Sequence, residues 1–151
     1  MIDIKLDQKP TSVSIRYNGY YKVVLLLAII KHCGYGKKAS LELIHVVFWS
    51  LRNDNNYQVL LDLANQQRNS LVPWTFEHGI DEVLALGFIN EYIEKIIVSQ
   101  TLEIKITDKG TEIINSINRF ELFQDEIQKI RALGVIPKNR LSNANKNWKL
   151  I

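Results

Sequence analysis

Three features of the sequence predict an α+β domain that is mostly helical. Residues 20–32 are apolar around most of a helical circumference, which a helix tolerates only when other elements cover it on several sides. Residues 102–106 alternate apolar and polar, the period of a strand with one buried face. After Thr107-Asp108-Lys109-Gly110 the apolar positions return at spacings of three and four, the period of a helix.

Composition supports one domain. At 151 residues and 46% hydrophobic, the chain is large enough to bury a core without metal or disulfide staples. Cys33 is the only cysteine, which rules out an intramolecular disulfide and fits a reducing compartment. The apolar run 23–30 is far short of the roughly 20 residues of a membrane span, and the first residues lack the pattern of a secretion signal, so a cytoplasmic protein is expected, away from membranes. The net charge of +3 is unevenly placed. From Gly134 onward Lys138, Arg140, Lys146 and Lys149 face no acid, while residues 1–133 carry fifteen basic against sixteen acidic side chains. The chain therefore divides into a nearly neutral body, 1–133, and a basic polar tail, 134–151.

The elements follow in order. Ile2, Ile4 and Leu6, then Val13, Ile15 and Tyr17, alternate with polar residues on either side of Pro10 and predict a short N-terminal hairpin. The central helix 20–32 ends at Gly34 and Gly36. Ser40 is a good N-cap for a second helix with Leu41, Ile44, Val47, Phe48 and Leu51 on one face. The polar run 52–56 interrupts, and helical spacing resumes over 57–67 as an inserted helix. A further helix is predicted over about 75–86, with Phe76, Ile80, Val83 and Leu84 inward and Gly87 as its left-handed stop. The β-branched stretch 88–98 and the strand 102–106 form a hairpin across Ser99-Gln100-Thr101. Ile113, Ile117, Phe120, Phe123, Ile127 and Ile130 predict one long C-terminal helix over about 111–133.

The step Leu86-Gly87-Phe88-Ile89, the two-stranded hairpin, and the close Ile106-Thr107-Asp108-Lys109-Gly110 before another helix resemble the winged-helix superfamily. The resemblance covers about residues 20–117. It implies a winged helix with a two-stranded wing, to which the residue pattern adds an inserted helix, a long C-terminal helix and a short N-terminal hairpin. In DNA-binding members the helix before the wing enters the major groove and is rich in Lys, Arg, Asn or Gln. Here the corresponding segment carries Glu77, Asp81 and Glu82 and no Lys or Arg. One carboxylate about 6 Å from a phosphate is repelled by roughly 0.7–3 kcal/mol, depending on the effective dielectric. In the wing, Glu91, Glu94 and Glu103 outnumber Lys95 and Lys105. DNA binding is thus the alternative reading, with the duplex held through its phosphates by Lys37, Lys38, Lys138, Arg140, Lys146 and Lys149; a transcriptional regulator that reads bases with the standard helix ranks below it.

The favoured reading is a non-catalytic subunit that docks onto other proteins. The run KKASLELIHVVFWSLR, residues 37–52, resembles the second helix of the small middle components of three-component ABC-ATPase defence systems of the Lamassu type. That resemblance implies, as partners, an SMC-like ATPase and a nuclease effector in anti-phage defence, with non-specific DNA contact through the complex. His45, Trp49 and Arg52 share one side of this helix, and Trp beside Arg is typical of binding hot spots, although a Trp at helical spacing is also ordinary core. Phe120, Phe123, Ile127 and Ile130 line either a partner helix, a second copy of the chain in a homodimer, or their own domain. Trp148, in the polar tail, is a further anchor for a partner groove.

Enzymatic chemistry finds little support. Glu103 and Lys105 share one face of their strand, as the acid and lysine of a metal-dependent nuclease do, with Asp81, Glu91 or Glu94 as the further acid required. The same pair is also an ordinary solvated strand face. His32 and Cys33 adjoin in sequence without implying a catalytic pair. The three histidines lack zinc-ligand spacing, and there is no GxxxxGK[ST] loop, so neither metal nor cofactor is expected.

Overall fold

The computed structural model describes residues 19–147, so the expected N-terminal hairpin, Trp148 and Lys149 lie outside the described residues. Helix α1, Gly19–Cys33, is the axis of the fold. Leu26, Leu27, Ala28, Ile29 and Ile30 are wholly buried, and five successive positions span more than one turn. The helix is therefore enclosed all round, as its pattern demands. Burying each such Leu or Ile contributes about 1.5–3 kcal/mol.

Strand β1, Lys38–Ser40, is too short to show a period and was not predicted. Ser40 ends it and caps α2, Leu41–Ser50, its hydroxyl accepting the Leu43 N–H at 3.2 Å. Helix α3, Asp54–Ala64, starts earlier than expected because Asn53 caps it, accepting the Asn56 N–H at 2.8 Å. The polar run read as an interruption is the start signal of the next helix.

Helix α4, Ile80–Ile89, starts later than expected and ends later. Gly79 sits at φ 78°, and residues 75–77 are hydrogen-bonded to Arg52 and His45 instead of within a helical turn. Gly87 is not a left-handed stop but lies within the helix. A Cβ there would come within 2.7 Å of the Ile93 side chain, so glycine admits the first hairpin strand against the helix.

Strands β2, Ile93–Val98, and β3, Thr101–Ile106, close through Ser99 at φ 50° and Gln100 at φ 67°, a turn whose twist matches the strands. β1 pairs with the other edge of β3, giving an antiparallel sheet of order β1-β3-β2 instead of an isolated hairpin. Ile104 and Ile106 are buried, while Leu102, near the turn, is half-buried. Thr107 caps α5, Asp108–Arg119, by accepting the Gly110 N–H at 3.0 Å, and donates its own hydroxyl to the Glu91 carbonyl at 2.7 Å. The Tyr92 carbonyl packs where a Cβ on residue 110 would stand, which accounts for glycine there.

The single long C-terminal helix is not formed. α5 ends at Arg119 and α6 covers Gln124–Leu133, with Glu121 at φ 57° and Phe123 at φ 55° between them. The left-handed turn folds the chain back onto α1. Phe123 meets Tyr21 edge-on at 5.1 Å, and Ile127 and Ile130 become wholly buried. The apolar period runs through the break because both helices face the same core.

Residues 134–147 are not a free tail. The Ile136 N–H bonds the Cys33 carbonyl at 3.1 Å, and α7, Lys138–Lys146, buries Leu141 and Ala144. The Leu71 N–H reaches the Ala144 carbonyl at 3.3 Å, and Trp74 Nε1 donates to Asn145 Oδ1 at 2.7 Å. These contacts hold a helix whose composition is otherwise polar. No helix among the described residues is long and apolar enough to cross a membrane.

Candidate partner-docking site

Of the three residues expected together on α2, Trp49 is core, only 5% exposed. His45 and Arg52 instead hold the connection between α3 and α4. Arg52 donates through Nη2 to the Phe76 carbonyl at 2.9 Å and through Nη1 to Thr75 Oγ1. The Glu77 N–H donates to His45 Nδ1 at 3.0 Å, so the imidazole is neutral with its proton on Nε2. Burial lowers the His45 pKa, against the opposing pull of Glu77 and Asp81, while the Arg52 charge adds to the lowering. The Glu77 carboxylate lies 2.7 Å from Lys22 Nζ and 3.2 Å from Arg52 Nη2. Glu77 therefore does not add charge to the α4 face; its side chain is 11% exposed and is matched by two cations.

The consequence falls on Phe76. Its backbone is pinned on one side by Arg52 and on the next by His45, yet the residue is 70% exposed. Its ring lies 4.7 Å from the His45 ring and 5.5 Å, edge-on, from that of Trp74. With Leu41, Glu42 and Asn145 these rings line a cavity of about 510 Å³. Asn145 donates to Glu42 Oε2 at 2.7 Å, which fixes the cavity rim. Sequence reasoning placed Phe76 on the buried face of a helix. The bracketing residues Pro73 and Gly79 were the available signal for a loop.

On α4, Asp81 and Glu82 are exposed in the first turn, where the helix dipole favours carboxylates, and the helix has no Lys or Arg. Glu91 and Glu94 are also exposed. Two apolar residues are also exposed, Ile89 at the end of α4 and Ile97 on β2.

Glu103 and Lys105 share a face, opposite Ser40 and Lys38 respectively, but the solvated face expected of them is not found. Glu103 is buried and ion-paired with Lys138, at a cavity of about 530 Å³ between β1, β3 and residues 135–139. The returning C-terminal segment covers that side of the sheet. Among the described residues no three His, Cys, Asp or Glu side chains gather where a metal ion would be held. Burial pushes the Cys33 thiol up to about 12, and burial with the nearby Arg131 and Lys31 charges brings His32 down to about 4. The thiol is a packed group whose Sγ faces the Ile130 carbonyl.

The remaining candidates separate. Phe120 is exposed at the α5–α6 turn, and Phe123 is half-buried against Tyr21. Ile127 and Ile130 are fully buried and line the chain's own core, not a partner. Lys37 and Lys38 sit at the entrance to β1, Lys138 binds Glu103, Arg140 donates to the Ala64 carbonyl, and Lys146 is exposed. No protein-family model, curated protein or solved structure matches the chain.

Proposed function

We propose that this chain is a non-catalytic docking subunit of winged-helix type that engages a partner protein through Phe76 and the aromatic cavity beside it. The observation that carries this reading is the clamp: Arg52, His45 and Lys22 fix the segment around an aromatic side chain left in water. An apolar anchor held in place before binding loses little conformational freedom on association. Aromatic rings in a preformed pocket are the usual centres of interface energy. The winged-helix plan is supported by the order α1, β1, α2, α4, β2, β3 with sheet order β1-β3-β2, α3 being the insertion. Direct groove reading by α4 is disfavoured by its exposed Asp81 and Glu82, and a protein partner with a basic rim suits them better.

The assembly that we propose is the middle component joining an SMC-like ATPase to a nuclease effector in anti-phage defence, supported by the resemblance of residues 37–52. In the folded chain that run comprises β1 and α2. The test is co-purification of the chain with the products of its neighbouring genes, as wild type and as Phe76→Asp. We expect the wild type to retain an ATPase and an effector, and Phe76→Asp to weaken the complex by about thirtyfold or more with its circular dichroism unchanged. Retention of both proteins by Phe76→Asp rejects the site. Metal-dependent DNA cleavage by the purified chain, lost in Glu103→Ala, rejects the non-catalytic reading.

A further inference from the structure

A second concavity lies at the start of the same α3–α4 connection and is chemically the opposite of the first. It is lined by Gln66, Gln67, Arg68, Asn69, Arg140 and Asn143, two guanidinium groups and four carboxamides with no carboxylate. Its volume is about 510 Å³, within the roughly 300–1,000 Å³ usual for small-ligand sites.

Both guanidinium groups are held in place. Arg68 donates through Nε to the Ser70 carbonyl at 2.7 Å and through Nη2 to Ser70 Oγ at 3.2 Å. Arg140 donates through Nη1 to the Ala64 carbonyl at 3.0 Å. Each group is thereby oriented by neutral oxygens and keeps further N–H donors and its full charge. The nearest acid along the chain, Asp62, takes the Gln58 amide at 2.7 Å. The two walls, the 65–71 loop and α7, are locked together by the bond from the Leu71 N–H to the Ala144 carbonyl and by the burial of Leu71, Leu141 and Ala144.

We infer that this concavity binds a phosphate group. Two pre-oriented guanidinium forks offer more charge-assisted donors than a carboxylate accepts and match the several oxygens of a phosphate. The cavity is larger than one inorganic ion fills, so the phosphate arrives on a larger body, either a free nucleotide or the backbone of a nucleic-acid strand. The carboxamides serve the remainder of that ligand, since they both donate and accept. The site is independent of the docking reading, because Phe76 takes no part in it.

The test is titration of the full chain with inorganic phosphate, adenosine monophosphate and a short single-stranded oligonucleotide, followed by the Nε–H signals of Arg68 and Arg140 in nuclear magnetic resonance spectra. We expect both signals to move, and affinity to fall about tenfold for each guanidinium removed in Arg68→Gln and Arg140→Gln. Arg140→Gln also removes a bond to α3, so Asn143→Glu is the companion variant. Asn143 is exposed and its side chain makes no hydrogen bond among the described residues, and the added carboxylate should weaken binding to a similar degree without loss of fold. Tighter binding of the oligonucleotide with a steep loss in salt identifies a nucleic-acid strand, and equal binding of the mononucleotide identifies a free nucleotide. Signals unmoved by all three ligands, or affinities unchanged in Asn143→Glu and the arginine variants, overturn the inference.

Discussion

The two ends of the α3–α4 connection are both tied to helices, but they treat charge in opposite ways. At the far end Lys22 and Arg52 converge on Glu77, both cations are engaged by one carboxylate, and beside them an aromatic ring is left facing solvent. At the near end Arg68 and Arg140 are steadied by carbonyl and hydroxyl oxygens, so their charge is not cancelled. The comparison teaches that a charged residue held by the fold need not be used up by it. What holds the residue decides whether its charge remains available to a ligand.

The largest effect should come from breaking the compensated end. Glu77→Ala leaves Lys22, with a side chain only 15% exposed, and Arg52 without their common partner. The loss should be about 2–3 kcal/mol in urea unfolding, discounted from a fully buried pair because Arg52 is about one-third exposed. A loss under about 1 kcal/mol would show that the clamp does not order the connection.

The clamp should also loosen in acid. His45 is neutral in the fold with its pKa lowered, so as pH falls below the ordinary value of 6.5 the unfolded chain takes up the proton first. Stability is complete above that value and declines as pH falls toward the folded pKa. His32 acts in the same direction between 6.5 and about 4. Thermal midpoints measured across this window should fall with pH, less steeply in His45→Gln and in His32→Phe. A slope unchanged in both variants would assign the effect to carboxylates.

A smaller effect is expected at Glu103, whose partner Lys138 is about half exposed. Glu103→Leu should change stability by no more than about 1 kcal/mol, because removing a buried charge offsets the lost pair. A loss of several kcal/mol would mean that the pair secures the C-terminal segment to the sheet. Smallest of all, Asp81→Asn alone should cost about 0.3–0.5 kcal/mol from the first turn of α4. The fold should be kept, and only the rate of association with a basic partner should fall.

Much of the helical frame was legible. The all-round apolar run of α1, the cap at Ser40, the alternation of β3 and the Thr107 to Gly110 step each had one physical reading. The candidate site was legible only in pieces: His45 and Arg52 were singled out in the run 37–52, but their partners are 23 to 32 residues away in the chain and follow no period. Phe76 was misread because an aromatic at helical spacing is normally inward. Arg68 drew no notice because a lone arginine in a polar loop has no pattern.

The sequence by itself determined which segments bury a face, where α1 and α2 begin, and that the expected reading helix is acidic, because these depend on neighbours within a few residues. Only the tertiary structure decided that the long C-terminal pattern breaks at residues 120–123, that the basic tail folds back as α7, and which charges are cancelled. Those outcomes depend on side chains far apart in the chain, such as Phe123 on Tyr21 and Lys138 on Glu103. Local periodicity carries no information about which distant surface a buried face will meet.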